Sequence, residues 1–346
     1  MGLLISFQLS VYLYLSTEKF LFLPFNHNIM RLATILVCIF SLSCFKSSDL
    51  KFDDKFIEGQ VAGKPAQLNQ KLYVALVNPG SVFNSFIQKN NIGVVKVLDE
   101  GMIIGNGYNV DYTKLSKNIE RLYPSPQDTG MCFMDIEDPY LSSLHNAGIN
   151  SKEFKEVLDM YIDAIKFGKK MRPNVKWGHY GVPFTRWDDK DFLVKNDKIE
   201  EIYKTVDVLF PSLYLFKDDK EVPFSKNYEY LYDNLSLSLK IGKKYNKPVI
   251  PFVLHRFHSD NPRLQWAEMD DKFWKRYIQS VLSINYNGKY AQGIVWWGAD
   301  TYFYNRPEGK NIRKNFVGTQ AEFMSYNDPL LIKKANIVLN VITSKK

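Results

Sequence analysis

The sequence predicts an α/β fold: a (β/α) TIM-like barrel with seven strands. Three observations lead there. From residue 71 onward, short β-rich runs alternate with amphipathic segments at helical spacing, and strict alternation of this kind favours a parallel sheet over an antiparallel one. The alternation continues for about 275 residues, the span a closed ring of strands and helices requires. No G-x-G-x-x-G follows the first strand and no G-x-x-x-x-G-K-[ST] occurs anywhere, so a doubly wound nucleotide-binding sheet, the competing architecture, has no motif behind it.

The elements come in order along the chain. "KLYVALVNP" (71–79) is β-rich and ends in an Asn-Pro-Gly turn signal, "NIGVVKVLDEGMII" (91–104) is the second strand and "GMCFMDIE" (130–137) the third. In 151–173, Phe154, Val157, Leu158, Tyr161, Ile162 and Ile165 mark one helical face, opened by Ser151 and closed at Arg172-Pro173. Strands are then expected at 174–184, 205–216, 247–257 and 291–300, with helices at 226–245, 269–284 and 328–342. This makes 71–346 the folded domain.

The N-terminal region is expected to be an address rather than part of the fold. "MRLATILVCIFSLSC" (30–44) has a basic start, an apolar core and a small-residue approach to Cys44, the layout of a bacterial signal peptide with a lipoprotein-type processing site. Cys44 would become the acylated first residue, tethered to the domain through the polar stretch 45–70. Residues 1–29 then read as an upstream start, since Met30 begins a complete signal by itself. The implied location is a membrane-anchored lipoprotein of the outer membrane or cell surface, with a secreted or periplasmic protein the alternative. Export makes nucleic acid a poor partner, so the net charge of +8 suits an acidic polysaccharide or a merely solvated basic surface. Three cysteines, two of them in the leader region, give no disulfide framework, and Cys132 reads as a core residue.

Active sites of such barrels lie at the C-terminal ends of the strands. The polar residues there are Asp135 and Glu137 (third strand), His179 and Tyr180 (fourth), Tyr214 (fifth), His255 (sixth), and Trp297 with Asp300 (seventh). Side chains at i and i+2 of a strand share a face, so Asp135 and Glu137 would both face the barrel mouth with Ile136 turned outward. Two such close carboxylates repel, and one is held protonated. That suits protonation of a leaving glycosidic oxygen, although a structural or a binding pair has the same spacing. The pattern recurs at Asp219-Lys220-Glu221 in a charged loop, where a solvated surface is the plain reading. Trp296 and Trp297 are adjacent, so only one faces the lumen. His255 and His258 have the i, i+3 spacing of a metal pair but no acidic or cysteine partner nearby in sequence, so no metal or cofactor is assigned. Arg256 and Arg263 are candidates to grip a sugar carboxylate, with solvated loop arginines an equal reading.

"CFMDIEDPY" resembles the catalytic-strand motif of the hyaluronidases, in which an apolar strand runs into Asp-Trp-Glu. "MRPNVKWGHYGVPF", "DVLFPSLYL", "KPVIPFV" and "GIVWWGAD" are similar to later stretches of that family, in the same order, over residues 71–300. The resemblance implies a distorted seven-stranded barrel and a retaining, substrate-assisted glycoside hydrolase acting on hyaluronan- or chondroitin-like polymers that contain N-acetylhexosamine. Glu137 would be the acid and then the base. Asp135 would orient the acetamido group, Tyr180 and Tyr214 would steady it, and Trp297 would floor its subsite. His255 and Asp300 join them as candidate substrate contacts on position alone, with a polar loop residue the plainer reading of His255 and a helix cap the alternative for Asp300. Ile136 departs from the family's Trp, Phe210 from a Tyr and His179 from an aromatic. A chitinase-like barrel and a non-catalytic glycan-binding lipoprotein are the competing functions. The first lacks its longer D-G-x-D-x-D-x-E signature, and the second would be marked by loss of Glu137, which is present.

Overall fold

A computed structural model describes residues 69–187 and 189–344. The upstream start, the signal segment with Cys44 and nearly all of the tether lie outside the described residues. Six parallel strands form one curled sheet in the order β4-β3-β2-β1-β8-β5: β1 (Lys71–Leu76), β2 (Gly93–Asp99), β3 (Gly130–Asp135), β4 (Val175–His179), β5 (Phe252–Leu254) and β8 (Gly293–Gly298), with a hairpin of β6 (Asn285–Tyr286) and β7 (Lys289–Tyr290) preceding the last. The principal helices between and after them are α1 (Ser81–Lys89), α2 (Tyr112–Leu122), α3 (Lys152–Met171), α4 (Phe224–Lys244), α5 (Asp271–Ser283) and α6 (Gln320–Thr343). Among the described residues no helix is long and apolar enough to cross a membrane.

The expected fifth strand is present as a path rather than as a regular ladder. Between β4 and β5 the chain makes single bridges, Tyr180 to Phe210 on one side and Leu209 to Val249 and Ser212 to Phe252 on the other. The cause is proline. Pro211, Pro248 and Pro251 have no N–H to give, so they serve only as acceptors, from Phe252, Leu209 and Val295 respectively. The same prolines shorten the expected sixth strand to Phe252–Leu254. Gly178 lets the fifth segment close against β4, because a Cβ there would stand 2.4 Å from the Val208 carbonyl oxygen.

Alternation sorts the side chains into two layers. Val95, Phe133, Phe210, Phe252 and Val295 are buried inside the ring, with Phe133 and Phe252 edge to face at 4.8 Å. Their neighbours Cys132, Met134, Val253 and Trp296 face the helices. Trp296 meets Phe83 of α1 at 5.9 Å and Trp274 of α5 at 6.0 Å, so it is the outward member of the Trp pair.

Helix α3 starts where its cap predicts, with the Ser151 hydroxyl accepting from the Phe154 N–H at 3.1 Å. Helix α6 starts earlier than expected, at Gln320 instead of 328. A Thr319–Glu322 capping box opens it, and Pro329 lies inside it rather than at its start. The turn around Pro329 is held from outside: the Asp328 carboxylate accepts the N–H groups of Gly80, Val82 and Phe83 at 2.9–3.0 Å, fastening α6 to the start of α1.

Candidate active site

Strand β3 delivers Asp135 to the mouth, and the next residue sets the direction of the chain beyond it. Ile136 is 1% exposed, and its carbonyl accepts the Tyr161 hydroxyl of α3 at 2.6 Å. With Ile136 pinned outward, Asp135 and Glu137 turn to the other side, as the period-two argument requires. Asp135 is largely enclosed and its Oδ1 is buried without a hydrogen-bond partner among the described residues, whereas Glu137 is open to solvent. Asp135 is in register with Asp99 at the end of β2. Burial, then the neighbouring charges of Glu137, Glu100 and Asp99, push the Asp135 carboxyl up to about 8. Crowding by protein, then Glu100, Asp138 and Asp260, raises Glu137 as well.

Tyr180, whose N–H bonds the Met134 carbonyl of β3 at 3.1 Å, and Tyr214 continue the wall beside the carboxyls. The Tyr180 hydroxyl is 3.1 Å from the Ser212 hydroxyl. Its ring centroid is 6.0 Å from that of Tyr214, which in turn is 6.0 Å from that of Trp297. Burial first, and then Glu137, raises the Tyr180 phenol. Burial and then Tyr180 raise Tyr214, with Asp135 contributing. Both phenols therefore stay protonated donors within the field of the two carboxyls. His258 stacks on Tyr214 at 5.6 Å and 24°, and Trp266 flanks Trp297 at 6.2 Å. The structure thus gathers Asp135, Glu137, Tyr180, Tyr214 and Trp297 around one opening.

His255 and Asp300 require a correction: neither is open to a substrate. His255 is fully buried. The Trp296 indole N–H can only donate, so Nδ1 of His255 is the acceptor at 3.1 Å. Nε2 then carries the proton and gives it to Asp300 at 3.2 Å. Asp300 is 5% exposed and takes both arms of Arg256 at 2.8 Å, with Asn327 of α6 adding a bond at 3.2 Å. Burial by itself would raise Asp300, yet Arg256 and His255 hold it well below the usual carboxylate range. This is a closed structural network behind β8, and it occupies Arg256 too. Arg263 is likewise engaged, with Asp218 and Glu221. His179 is buried against Tyr161, its Nε2 on the Tyr161 carbonyl at 3.0 Å, and burial lowers it to about 4. His255 and His258 are no metal pair, since both ring nitrogens of the first are taken.

Sequence reasoning missed one acid of the mouth, Glu100. It succeeds Asp99 at the end of β2, just as Glu137 lies beyond Asp135 at the end of β3, and its Oε2 accepts the Glu137 backbone N–H at 3.3 Å. A local signal for it exists: "VVKVLDE" carries its acids at a strand end, where the rule that selects Asp135 and Glu137 on β3 also applies.

Comparison with known proteins gives similarity in sequence and in fold. No protein-family model matches the chain. It is 25% identical over 160 residues to hyaluronidase conohyal-Cn1 of Conus consors, covering 45% of this chain and 33% of that protein. It is 25% identical over 173 residues to the chondroitin hydrolase of Caenorhabditis elegans, covering 46% and 36%. The crystal structure of bee venom hyaluronidase matches with a TM-score of 0.56 at 14% identity, over 78% of this chain and 99% of that one. The chain is hyaluronidase-like. The match spans about a third of the length of those two relatives, while the hyaluronidase-like barrel itself is matched over nearly the whole of the bee venom chain.

Proposed function

We propose that this chain is a retaining glycoside hydrolase that cleaves hyaluronan- or chondroitin-like polymers at N-acetylhexosamine by substrate-assisted catalysis. The observation that carries the reading is a buried carboxylate oxygen of Asp135 left without a partner among the described residues, beside a solvent-open acid of raised proton affinity, Glu137. An orphaned buried acceptor is costly, and the acetamido N–H of a bound sugar would satisfy it. A crystal structure of bee venom hyaluronidase with a hyaluronic acid tetramer, similar to this chain at a TM-score of 0.51, supports a polysaccharide in a cleft of this kind.

In the first step the Glu137 proton passes to the glycosidic oxygen as the C1–O bond breaks, while the acetamido oxygen of the substrate bonds to C1. The Asp135 oxygen left without a partner among the described residues accepts the acetamido N–H and orients the group for attack. Tyr180 and Tyr214 keep the group in line, and Trp297 supports the ring. In the second step Glu137, now ionised, takes a proton from water; the hydroxide bonds to C1 and the acetamido oxygen leaves, so the configuration is retained. Glu137 must start protonated, so the rate falls as pH rises past its raised value.

Glu137→Gln should lower release of reducing ends from hyaluronan and chondroitin by at least about 10³-fold while binding of the polymer persists. Inverted product in an NMR time course would sink the mechanism. A second reading has one observation in its favour: "Inactive hyaluronidase B" of Vespula vulgaris is 20% identical over 68% of this chain and 77% of that protein. On that reading the cleft only captures glycan, and wild-type protein would bind the polymers without cutting them. The export and lipid anchoring implied by 30–44 belong to the same proposal; incorporation of labelled fatty acid that is lost in Cys44→Ser tests them.

A further inference from the structure

We propose that Glu100 is a positioning residue for Glu137: it grips the backbone from which Glu137 projects and, as a like charge beside it, sets the pH up to which Glu137 keeps its proton. The inference rests on the catalytic role given to Glu137 above, but its geometry is independent of substrate. Asp99 and Asp135 are register neighbours on parallel strands, so the chain leaving β2 and the chain leaving β3 run side by side into the mouth. Asp99 then caps the single helical turn Glu100–Ile103, its Oδ1 accepting the Met102 N–H at 3.0 Å. The turn is anchored by Ile103, which is fully buried, and by the Ile104 N–H bonding the Glu100 carbonyl at 2.8 Å. Glu100 is thereby aimed at the neighbouring loop, where its Oε2 takes the Glu137 N–H at 3.3 Å.

Glu100 differs from the other acids near Glu137. The charged groups that bear on Glu137 from the elements around it are Glu100 from the turn after β2, Asp138 from its own loop and Asp260 from the loop after β5, all acidic; Asp135 is coupled to it from β3. Asp138 is engaged by Ser142, through its N–H at 3.0 Å and its hydroxyl at 2.6 Å. Asp260 sits 3.4 Å from the His258 ring. Glu100 is the one of the three whose carboxylate bonds to Glu137 itself. A nearby like charge disfavours ionisation, so a general acid gains pH range from such a neighbour, and the backbone bond keeps its donor oxygen in place.

Two variants separate the parts. Glu100→Gln retains an acceptor for the Glu137 N–H and removes the charge; Glu100→Ala removes both. Each is measured in the full chain by the titration of the Glu137 carboxyl, seen by ¹³C NMR and assigned by its loss in Glu137→Gln, and by the basic limb of kcat/KM on hyaluronan. Glu100→Gln should move both downward by about half to one pH unit, with kcat at pH 5 within about twofold of wild type. Glu100→Ala should show the same shift and a further fall in kcat of about tenfold. A Glu137 titration unmoved in Glu100→Gln overturns the proposal. If the wild type cuts no glycan, the hydrolase reading alone is sunk and the NMR arm still decides: a moved titration supports the coupling, and an unmoved one overturns it.

Discussion

Asp135 and Asp300 stand at the C-terminal ends of two strands of one ring, and the fold treats them in opposite ways. Around Asp300 everything is complementary. Arg256 closes on both oxygens, His255 and Asn327 donate, and the carboxyl is held ionised. Around Asp135 everything is withheld. Its neighbours are further carboxylates, one oxygen has no donor among the described residues, and the group is pushed up to about 8. Burial is common to both. The difference is whether the fold supplies a cation, and that decides which acid builds the protein and which is left with a need that a ligand can meet.

The comparison can be broken most forcefully at Asp300. Asp300→Ala would leave Arg256 buried, 4% exposed, with no counter-charge, a change that typically costs about 3–5 kcal/mol. Urea unfolding at pH 7 should show a loss of that order, and adding Arg256→Met should recover much of it, because the uncompensated charge goes too. A loss under about 1 kcal/mol would mean that the network is no strut. Since Asp300 is held low, its contribution is full above the ordinary carboxylate range and is lost as pH falls below it.

Asp135 should behave with the reverse sign. Its folded value, about 8, lies above the unfolded value of about 3.9, so the folded state binds the proton more tightly. The stability it contributes is full below the unfolded value and is lost as pH rises toward 8. Asp135→Asn cannot ionise and should therefore be more stable than wild type at pH 8, by up to about 5 kcal/mol, with the gap closing toward pH 4, while reducing-end release collapses. Equal stability at the two pH values would show that Asp135 is not the strained member of the pair. A gain in stability with a loss of activity is the signature of an active-site carboxyl held against its preference.

How much of the fold and site is legible in the sequence depends on how far apart in the chain the deciding partners lie. The period-two rule places Asp135, Ile136 and Glu137 correctly because it concerns three consecutive residues, and it splits Trp296 from Trp297 for the same reason. Strand alternation locates the ring, and proline chemistry, written into Pro211, Pro248 and Pro251, explains why two of its members are poor ladders. His255 and Asp300 escape local rules because their fate rests on Arg256, Trp296 and Asn327, brought together only by closure of the ring and the docking of α6; no local pattern announces that a strand-end Asp will meet a buried guanidinium. The start of α6 is a local matter instead, since the Thr319–Glu322 capping box outranks Pro329 as a start signal. Glu100 is local too: the strand-end rule that selects Asp135 and Glu137 selects Asp99 and Glu100 on the second strand.

The second Asp-x-Glu pair supplies the smallest test. Asp219 and Glu221 repeat the spacing of Asp135 and Glu137, yet they lie in an exposed loop where each finds a cation: Asp219 pairs with Arg276, and Glu221 with Arg263. Arg276 is also seated over the Phe224 ring, 3.8 Å from its centroid, so it stays packed if Asp219 loses its charge. With Asp219 half exposed, the pair is worth little. Asp219→Asn should change stability by less than about 0.5 kcal/mol in the urea series that measures Asp135→Asn, and should leave the pH profile of kcat/KM where it was. Identical spacing would then give opposite outcomes in one protein, and the cause would be the one that separates Asp135 from Asp300: carboxylates crowded among carboxylates in a half-closed mouth against carboxylates answered by cations. A shift in the pH profile from Asp219→Asn would show instead that charge in the loop after the fifth segment reaches the mouth, and the separation of the two pairs would fail.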